Sequence, residues 1–359
     1  MPPPSPSSRP PGWDDDWERS WEASVAGSQE DLHPVRVVRI DKGGISVSET
    51  AGSDRLVVAA KAVRRVVVGD VCGLDAEAGR IESILPRRTV FERRAPGAER
   101  DTVAVSAKAI AANMDVVLVL QGLDSGVNSS RLAREMVLAW ESRAQPVVVL
   151  TKTDLCTPEE ITPQRDLASR FAPGVPVVCV SSTGSSDSGT RELEPYLPTG
   201  TVAALLGASG TGKSTLANAL AGRPVQLTGE VREGDQRGRH TTTAGQMLPL
   251  TRDRWLIDTP GIRGVGLWHA DEGLEAAFAD LAPFAAQCRF ADCTHNAEPG
   301  CGILAAVSDG ALAQDRLDIW HELLGEVEQL EAQSTELERE ARREANQRSR
   351  RRAAGRRAR

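Results

Sequence analysis

No apolar run in this 359-residue sequence approaches the ~20 residues that a membrane span requires. The start, "MPPPSPSSRPPGWDDD", lacks the basic-then-apolar pattern of a secretory signal. Both absences point to a cytoplasmic protein without a membrane partner. Cysteine is also sparse: Cys72, Cys156 and Cys179 are scattered, whereas Cys288, Cys293 and Cys301 crowd together. In a cytosolic chain that distribution excludes a disulfide framework and leaves one metal site plus three ordinary thiols.

The net charge of −7 hides an asymmetry. Residues 342–359, "RREANQRSRRRAAGRRAR", hold nine Arg against one Glu, or +8, which leaves −15 for the rest of the chain. Such a tail is either a solvated, disordered terminus or the phosphate-contacting arm of a polyanion binder.

Composition divides the rest. Residues 1–12 are Pro/Ser-rich and expected to be disordered. Trp13, Trp17 and Trp21 then recur at helical spacing, predicting a short amphipathic helix that packs on the neighbouring domain, with a partner site as the alternative reading. From His33 to about Arg94, five short alternating runs ("VRVVRI", "GISVSE", "RLVVAA", "RRVVVGDVCGL", "GRIESIL") predict a small OB-type barrel. Beyond position 101, near-continuous apolar runs ("DVVLVL", "PVVVL", "PVVCV", "TVAALL", "RWLI") alternate with helical stretches, as in a parallel sheet covered on both faces. Ligands of such sheets bind at the carboxyl ends of the strands.

The polar motifs fall at those ends. "GASGTGKS" at 207–214 fits the phosphate-cradling loop, between a strand and a helix as the motif requires. Gly207, Ala208, Ser209, Gly210, Thr211 and Gly212 would turn backbone N–H groups toward phosphates. Lys213 would reach the β- and γ-phosphates, and Ser214, beside Thr215, would offer a hydroxyl to Mg²⁺. "DTPG" at 258–261 places Asp258 to hold Mg²⁺ and the Gly261 N–H to meet the γ-phosphate. Between them, "GRHTTT" at 238–243 suits a loop whose Thr242 joins Mg²⁺ when the γ-phosphate is present.

A guanine-reading [NT]-K-x-D turn should follow Gly261, and none does. The one candidate lies upstream: Thr151, Lys152, Thr153 and Asp154, at the end of an apolar run. A second run leads to Ser181 and Ser182, where a short loop would lie against the base. Asp154 can accept from guanine N1–H and the exocyclic amine, and Lys152 can lie along the base. The base-reading pair thus precedes the phosphate-reading trio, an order circularly permuted relative to an ordinary GTPase. Because strand ends lying side by side make the site, spatial order matters and chain order does not.

In the order TKTD, SST, GASGTGKST, GRHTTT, DTPG, the chain resembles the ribosome small-subunit-dependent GTPase A family (RsgA/YjeQ). The preceding barrel and the following "CRFADCTHNAEPGCGI" resemble that family's OB and zinc domains, so the likeness covers roughly residues 34–330. It implies a Mg²⁺-dependent GTPase, taking GTP to GDP and phosphate, that acts late in small ribosomal subunit maturation. It also implies stimulation by that subunit, with the subunit and its rRNA as partners of a monomer. On its own chemistry, Cys288, Cys293, His295 and Cys301 form a Cys₃His set able to close a tetrahedron around one structural Zn²⁺.

The expected architecture is multi-domain α/β. It comprises an N-terminal extension (1–33), an OB-type barrel (34–95), a circularly permuted P-loop GTPase domain (96–270), a zinc-binding helical domain (271–341) and a basic disordered tail (342–359). Two departures matter. Thr151 replaces the usual Asn of the base-reading turn, and Ile262 follows the D-x-x-G where many GTPases carry a water-orienting Gln. Hydrolysis by the chain alone should be slow, with the missing catalytic group supplied by His240 or by a partner. The rival is a P-loop kinase or ATPase acting on a small molecule, which leaves "TKTD", the barrel and the tail unexplained. A third reading, an RNA-binding module with a vestigial P-loop, sits badly with the complete Gly212-Lys213-Ser214 and Asp258 set.

Overall fold

The computed structural model describes residues 9–26, 31–94 (apart from 51, 62 and 64), 107–181, 189–226, 245–258, 267 and 270–357. The tryptophan spacing does produce a helix, α1 (Asp15–Val25). The Asp14 carboxylate caps it, accepting the Trp17 N–H at 2.7 Å. Trp17 and Trp21, one turn apart, share a face packed on Val71 and Leu85. The Arg88 guanidinium lies 3.8 Å from the centre of the Trp17 ring and bonds the Asp14 carboxylate as well.

Five strands follow: β1 (Leu32–Asp41), β2 (Gly44–Ser48), β3 (Asp54–Ala59), β4 (Val71–Asp75) and β5 (Arg80–Ile84). They pair in the circuit β1-β2-β3-β5-β4 and back to β1, a ring around Val35, Val37, Val47, Val57, Cys72, Leu74 and Ile81. Strand alternation places these residues inside. The fourth strand starts at Val71, not near Arg64 as the apolar run implied. Asp70 turns the chain just before it, accepting the Val67 N–H at 2.8 Å while paired with Arg87 at 2.7 Å.

After the hairpin β6 (Val90–Arg94) and β7 (Ala107–Ala112), the main sheet is laid down. Its strands are β8 (Val116–Gly122), β9 (Gln145–Thr151), β10 (Val177–Cys179), β11 (Val202–Leu206), β12 (Gly245–Pro249) and β13 (Trp255–Asp258). Their spatial order is β10-β9-β8-β11-β13-β12, parallel except for β12. β8 is buried along its whole length, as a near-continuous apolar strand between two helical layers should be.

One face carries α2 (Ser129–Glu141) and α3 (Pro158–Phe171), through Leu132, Met136, Ala168 and Phe171. The other carries α4 (Lys213–Ala221), through Leu216 and Leu220. The chain winds outward through β9 and β10, then restarts at β11 beside β8. That reversal is the switch point at which such sheets open a ligand crevice.

One long-range pairing was not foreseen. A bulge between Val37 and Arg39 bends β1, so that its first half pairs with β4 and its end with β12. The ring and the main sheet are therefore one continuous run of eleven strands.

The C-terminal part is helical: α5 (Asp271–Ala277), α6 (Ala282–Ala285), α7 (Gly302–Ser308) and α8 (Gln314–Arg357). Leu274, Phe278, Ile303, Leu317 and Leu323 join the same apolar cluster as Leu132 and Met136 of α2. Gly273 permits this contact, since a Cβ there would lie 2.3 Å from the Val137 carbonyl. Buried Arg316 then locks the segment, reaching Asp280 at 2.6 Å, the Ala277 carbonyl at 2.6 Å and the face of Phe278 at 4.0 Å. The segment expected to be a disordered tail, 342–359, is helical as far as Arg357. Arg, Ala, Gln and Glu are strong helix formers, and Gly355 is the only breaker there. Among the described residues, no helix is long and apolar enough to cross a membrane.

Candidate nucleotide and metal sites

The sheet registers bring the expected motifs to one edge. Thr151 ends β9 opposite Gly122 of β8, Cys179 of β10 lies opposite Leu150, the 207–212 loop leaves β11, and Asp258 ends β13. Base-reading candidates therefore sit on one side, the phosphate loop at the switch point, and Asp258 beyond it.

The loop has the backbone its sequence demands. Gly207 has φ +147, and a Cβ there would meet the Leu120 carbonyl at 2.8 Å. Gly212, in the left-handed region, opens α4. Lys213 is buried and folds back, donating to the Gly207 carbonyl at 2.7 Å and to that of Ala208. Ser209 and Gly210 are exposed at the loop tip, and Ser214 and Thr215 are half-buried on the first turn. N–H groups of a loop and helix start, with an ammonium among them, form an anion-binding concavity.

The turn expected to read the base is tied to that loop. The Thr151 hydroxyl, buried, donates to the Thr211 carbonyl at 2.7 Å, with the Gln121 carbonyl 3.3 Å away. Lys152 takes a left-handed conformation (φ +61), which costs a non-glycine residue about 1–2 kcal/mol. Its ammonium pairs with Asp124 at 2.6 Å. Thr153 opens a short 3-10 turn, Thr153–Leu155, that carries Asp154. The Ser181 hydroxyl donates to the Asp154 carboxylate at 3.0 Å, so the two expected base contacts are neighbours. Ser182, His240, Thr242, Gly261 and Ile262 lie outside the described residues.

Sequence reading missed Asp124, Gln121 and Glu135. Gln121 donates to the Glu135 carboxylate at 2.7 Å, and both are buried. Burial pushes the Glu135 carboxyl up to about 7, against the pull of Arg131 and Lys213. A signal was available: Glu135 lies in the helical stripe of Leu132, Met136 and Ala139, where an acid is out of place.

The cysteines converge separately. The ligand atoms of Cys288, Cys293, His295 and Cys301 all lie within 4.8 Å of one another. Cys288 Sγ is 3.8 Å from Cys301 Sγ and 3.5 Å from His295 Nδ1, which is 3.4 Å from Cys301 Sγ. A tetrahedron with Zn–S of about 2.3 Å and Zn–N of about 2.0–2.1 Å has S···S edges of about 3.8 Å and N···S edges of about 3.6 Å. The donor set therefore fits zinc. Backbone N–H groups of Gly302 and Leu304 point at Cys288 and Cys301 sulfurs at 3.3 and 3.4 Å, as thiolates would attract them.

Comparisons with known proteins agree with this arrangement. The sequence model of the RsgA GTPase family matches residues 84–268. The chain is 40% identical over 334 residues to the small ribosomal subunit biogenesis GTPase RsgA of Streptomyces avermitilis, covering 90% of this chain and 87% of that one. It is 36% identical to the protein of the same name from Methanosarcina acetivorans, covering 88% and 84%. Among solved structures it resembles YjeQ from Thermotoga maritima, with a TM-score of 0.62 and 25% identity over 82% of this chain and 99% of that one. YloQ, described as a circularly permuted GTPase, shares the fold with a TM-score of 0.59 and 22% identity over 84% and 97%. The chain belongs to the RsgA GTPase family and is a GTP-hydrolysing enzyme of circularly permuted fold.

Proposed function

We propose that this GTPase acts in small ribosomal subunit maturation, binding the subunit and its rRNA as a cytoplasmic monomer whose turnover the subunit stimulates. The observation that carries the nucleotide reading is the alignment of the Thr151–Asp154 turn, Ser181, the 207–212 loop and Asp258 at the carboxyl edge of adjacent strands. Asp154 accepts guanine N1–H and the exocyclic amine, with Lys152 along the base and Ser181 and Ser182 beside it. Adenine offers the carboxylate the wrong pattern. Lys213 would meet the phosphates, Ser214, Thr242 and Asp258 would hold Mg²⁺, and the Gly261 N–H would serve the γ-phosphate. When bound, Mg²⁺ would supply charge neutralisation of the phosphates. His240 orients the attacking water, or the subunit supplies the group that does.

The five-stranded ring is read as an OB-type barrel and, with the zinc segment, as an RNA-contacting surface. The Cys288, Cys293, His295 and Cys301 set holds one structural Zn²⁺, with no position left for substrate. The eight arginines between 342 and 357 of α8 contact RNA phosphates without reading sequence. Relatives named for small-subunit biogenesis support the partner. The test is GTP and ATP turnover with and without purified small subunits. GTP-selective turnover that rises with subunits supports this reading. ATP turnover indifferent to subunits would overturn it in favour of a small-molecule kinase or ATPase.

A further inference from the structure

The Thr151–Asp154 turn and the phosphate loop are two walls of the proposed guanine pocket, and the segment that follows β8 is a third. No motif marks it, yet residues 122–127 are pinned along their length. The Leu123 N–H donates to the Thr151 carbonyl at 3.1 Å, and the Ser125 and Gly126 N–H groups donate to the Gly122 and Leu123 carbonyls at 3.4 and 3.2 Å. The Val127 N–H donates to the Gln164 side chain of α3 at 2.7 Å. From this fixed turn the Asp124 carboxylate accepts the Lys152 ammonium at 2.6 Å. Gly122 keeps the space between them open. A Cβ there would lie 2.7 Å from Asp124 Oδ1, 3.8 Å from Lys152 Cδ and 3.6 Å from Thr211 Cα of the phosphate loop. Carboxylate, lysine stem and phosphate loop therefore converge on one point at the end of β8.

The pair does little for folding. The Lys152 and Asp124 side chains are 29% and 42% exposed, and ion pairs so placed add little stability. Its effect is on orientation. A lysine stem is long and flexible, and its rotations must be fixed before it can lie along a base. Lys152 leaves a backbone already held in the left-handed region (φ +61), and Asp124 holds the far end of the same side chain. The stem is thus anchored at both ends before any nucleotide arrives, and a contact ordered in advance binds more tightly.

We propose that Asp124 is a positioning residue for guanine binding: by holding the Lys152 ammonium from the turn after β8, it keeps the lysine stem where the base lies against it. This rests on the guanine-nucleotide reading above and adds to that site a residue that acts through Lys152. Two substitutions reach the pair from different sides. Asp124→Ala removes the anchor. Gly122→Ala keeps both charges but puts a methyl group where the Asp124 carboxylate lies, and the flexible carboxylate is what must give way, since the other two neighbours stay at ordinary contact distance.

The experiment is GDP affinity with Mg²⁺ on the full chain, read by displacement of a fluorescent guanine nucleotide, in a double-mutant cycle of Asp124→Ala with Lys152→Met. Expected is binding about fivefold weaker for Asp124→Ala and for Gly122→Ala, recovery of most of it in Asp124→Glu, and no further loss when Asp124→Ala is added to Lys152→Met. A residue that merely held its own turn together would weaken binding by the same factor with or without Lys152. That additive result would overturn the proposal, as would an Asp124→Ala affinity equal to the wild type's. Should Asp124→Ala not fold, Gly122→Ala with and without Lys152→Met runs the same cycle and decides alone. GDP binding that ignores Asp124 overturns only this proposal, whereas a wild type that binds ADP and not GDP overturns the guanine reading itself.

Discussion

The Thr151 hydroxyl donates to the Thr211 carbonyl across 2.7 Å, so the turn proposed to read the base and the loop proposed to hold the phosphates are bonded to each other through a buried contact. Thr151, which stands where such turns usually carry Asn, makes this tie with its hydroxyl. What a shorter side chain gives up is reach toward the base.

Replacing Thr151 with Val keeps the shape and removes the hydroxyl, leaving the Thr211 carbonyl without this partner. The cost is expected at about 1–3 kcal/mol of loop order. GDP affinity should fall by about fivefold or more, measured by fluorescent-nucleotide displacement. Thr151→Asn should bind GDP at least as tightly as the wild type.

Asp154→Asn exchanges an acceptor for a donor amide. Guanine should lose affinity by at least about a hundredfold, since a site built to hydrogen-bond one pattern rejects another strongly. Xanthosine diphosphate, which carries an oxygen where guanine has its amine, should gain. Competition between the two nucleotides on one sample checks both directions, and an unchanged preference for guanine would remove Asp154 from base reading.

Purified chain should carry one equivalent of zinc, and Cys293→Ser should lose it. Because Cys301, Ile303 and Ala306 belong to the core shared with α2, metal loss should loosen residues 286–312 and also lower global stability. Hydrogen exchange over that segment, with and without a chelator, reads the effect.

Asp280→Ala strands the Arg316 guanidinium, which is 1% exposed. Removing one partner of a buried pair costs about 3–5 kcal/mol, and the half-exposed carboxylate places this pair at the lower end. The urea midpoint should shift accordingly, while Asp280→Asn, which keeps an acceptor oxygen, should recover part of the loss.

The parts of the site that were legible in the sequence are those whose chemistry forces a local spelling. A loop that must curl its backbone around phosphates needs Gly207 and Gly212. A tetrahedral metal needs four donors close together, and a base-reading turn needs Asp154 two residues after Lys152. The Trp17 and Trp21 face was equally plain, because a helix repeats its buried side every turn. Pairing between distant strands carries no such spelling. Nothing in "VRVVRI" says that its end will join Gly245 and Gln246, some two hundred residues on. The Arg-rich segment was read by charge alone, and the helix propensity of the same residues carried α8 through it. Glu135 was passed over because an acid in a helix is ordinarily solvated, although its place in the stripe of Leu132, Met136 and Ala139 marks it as inward-facing.

The bent first strand has a wider consequence. Gln246 of β12 is flanked by Arg39 on one side and Asp258 on the other, so a single residue separates the ring from the carboxylate proposed to hold the metal. Thr242 stands three residues before β12 in the sequence. The nucleotide edge and the ring are joined through Gln246 by a short, hydrogen-bonded path. If the ring holds RNA as proposed, that contact and the phosphate edge share this one strand.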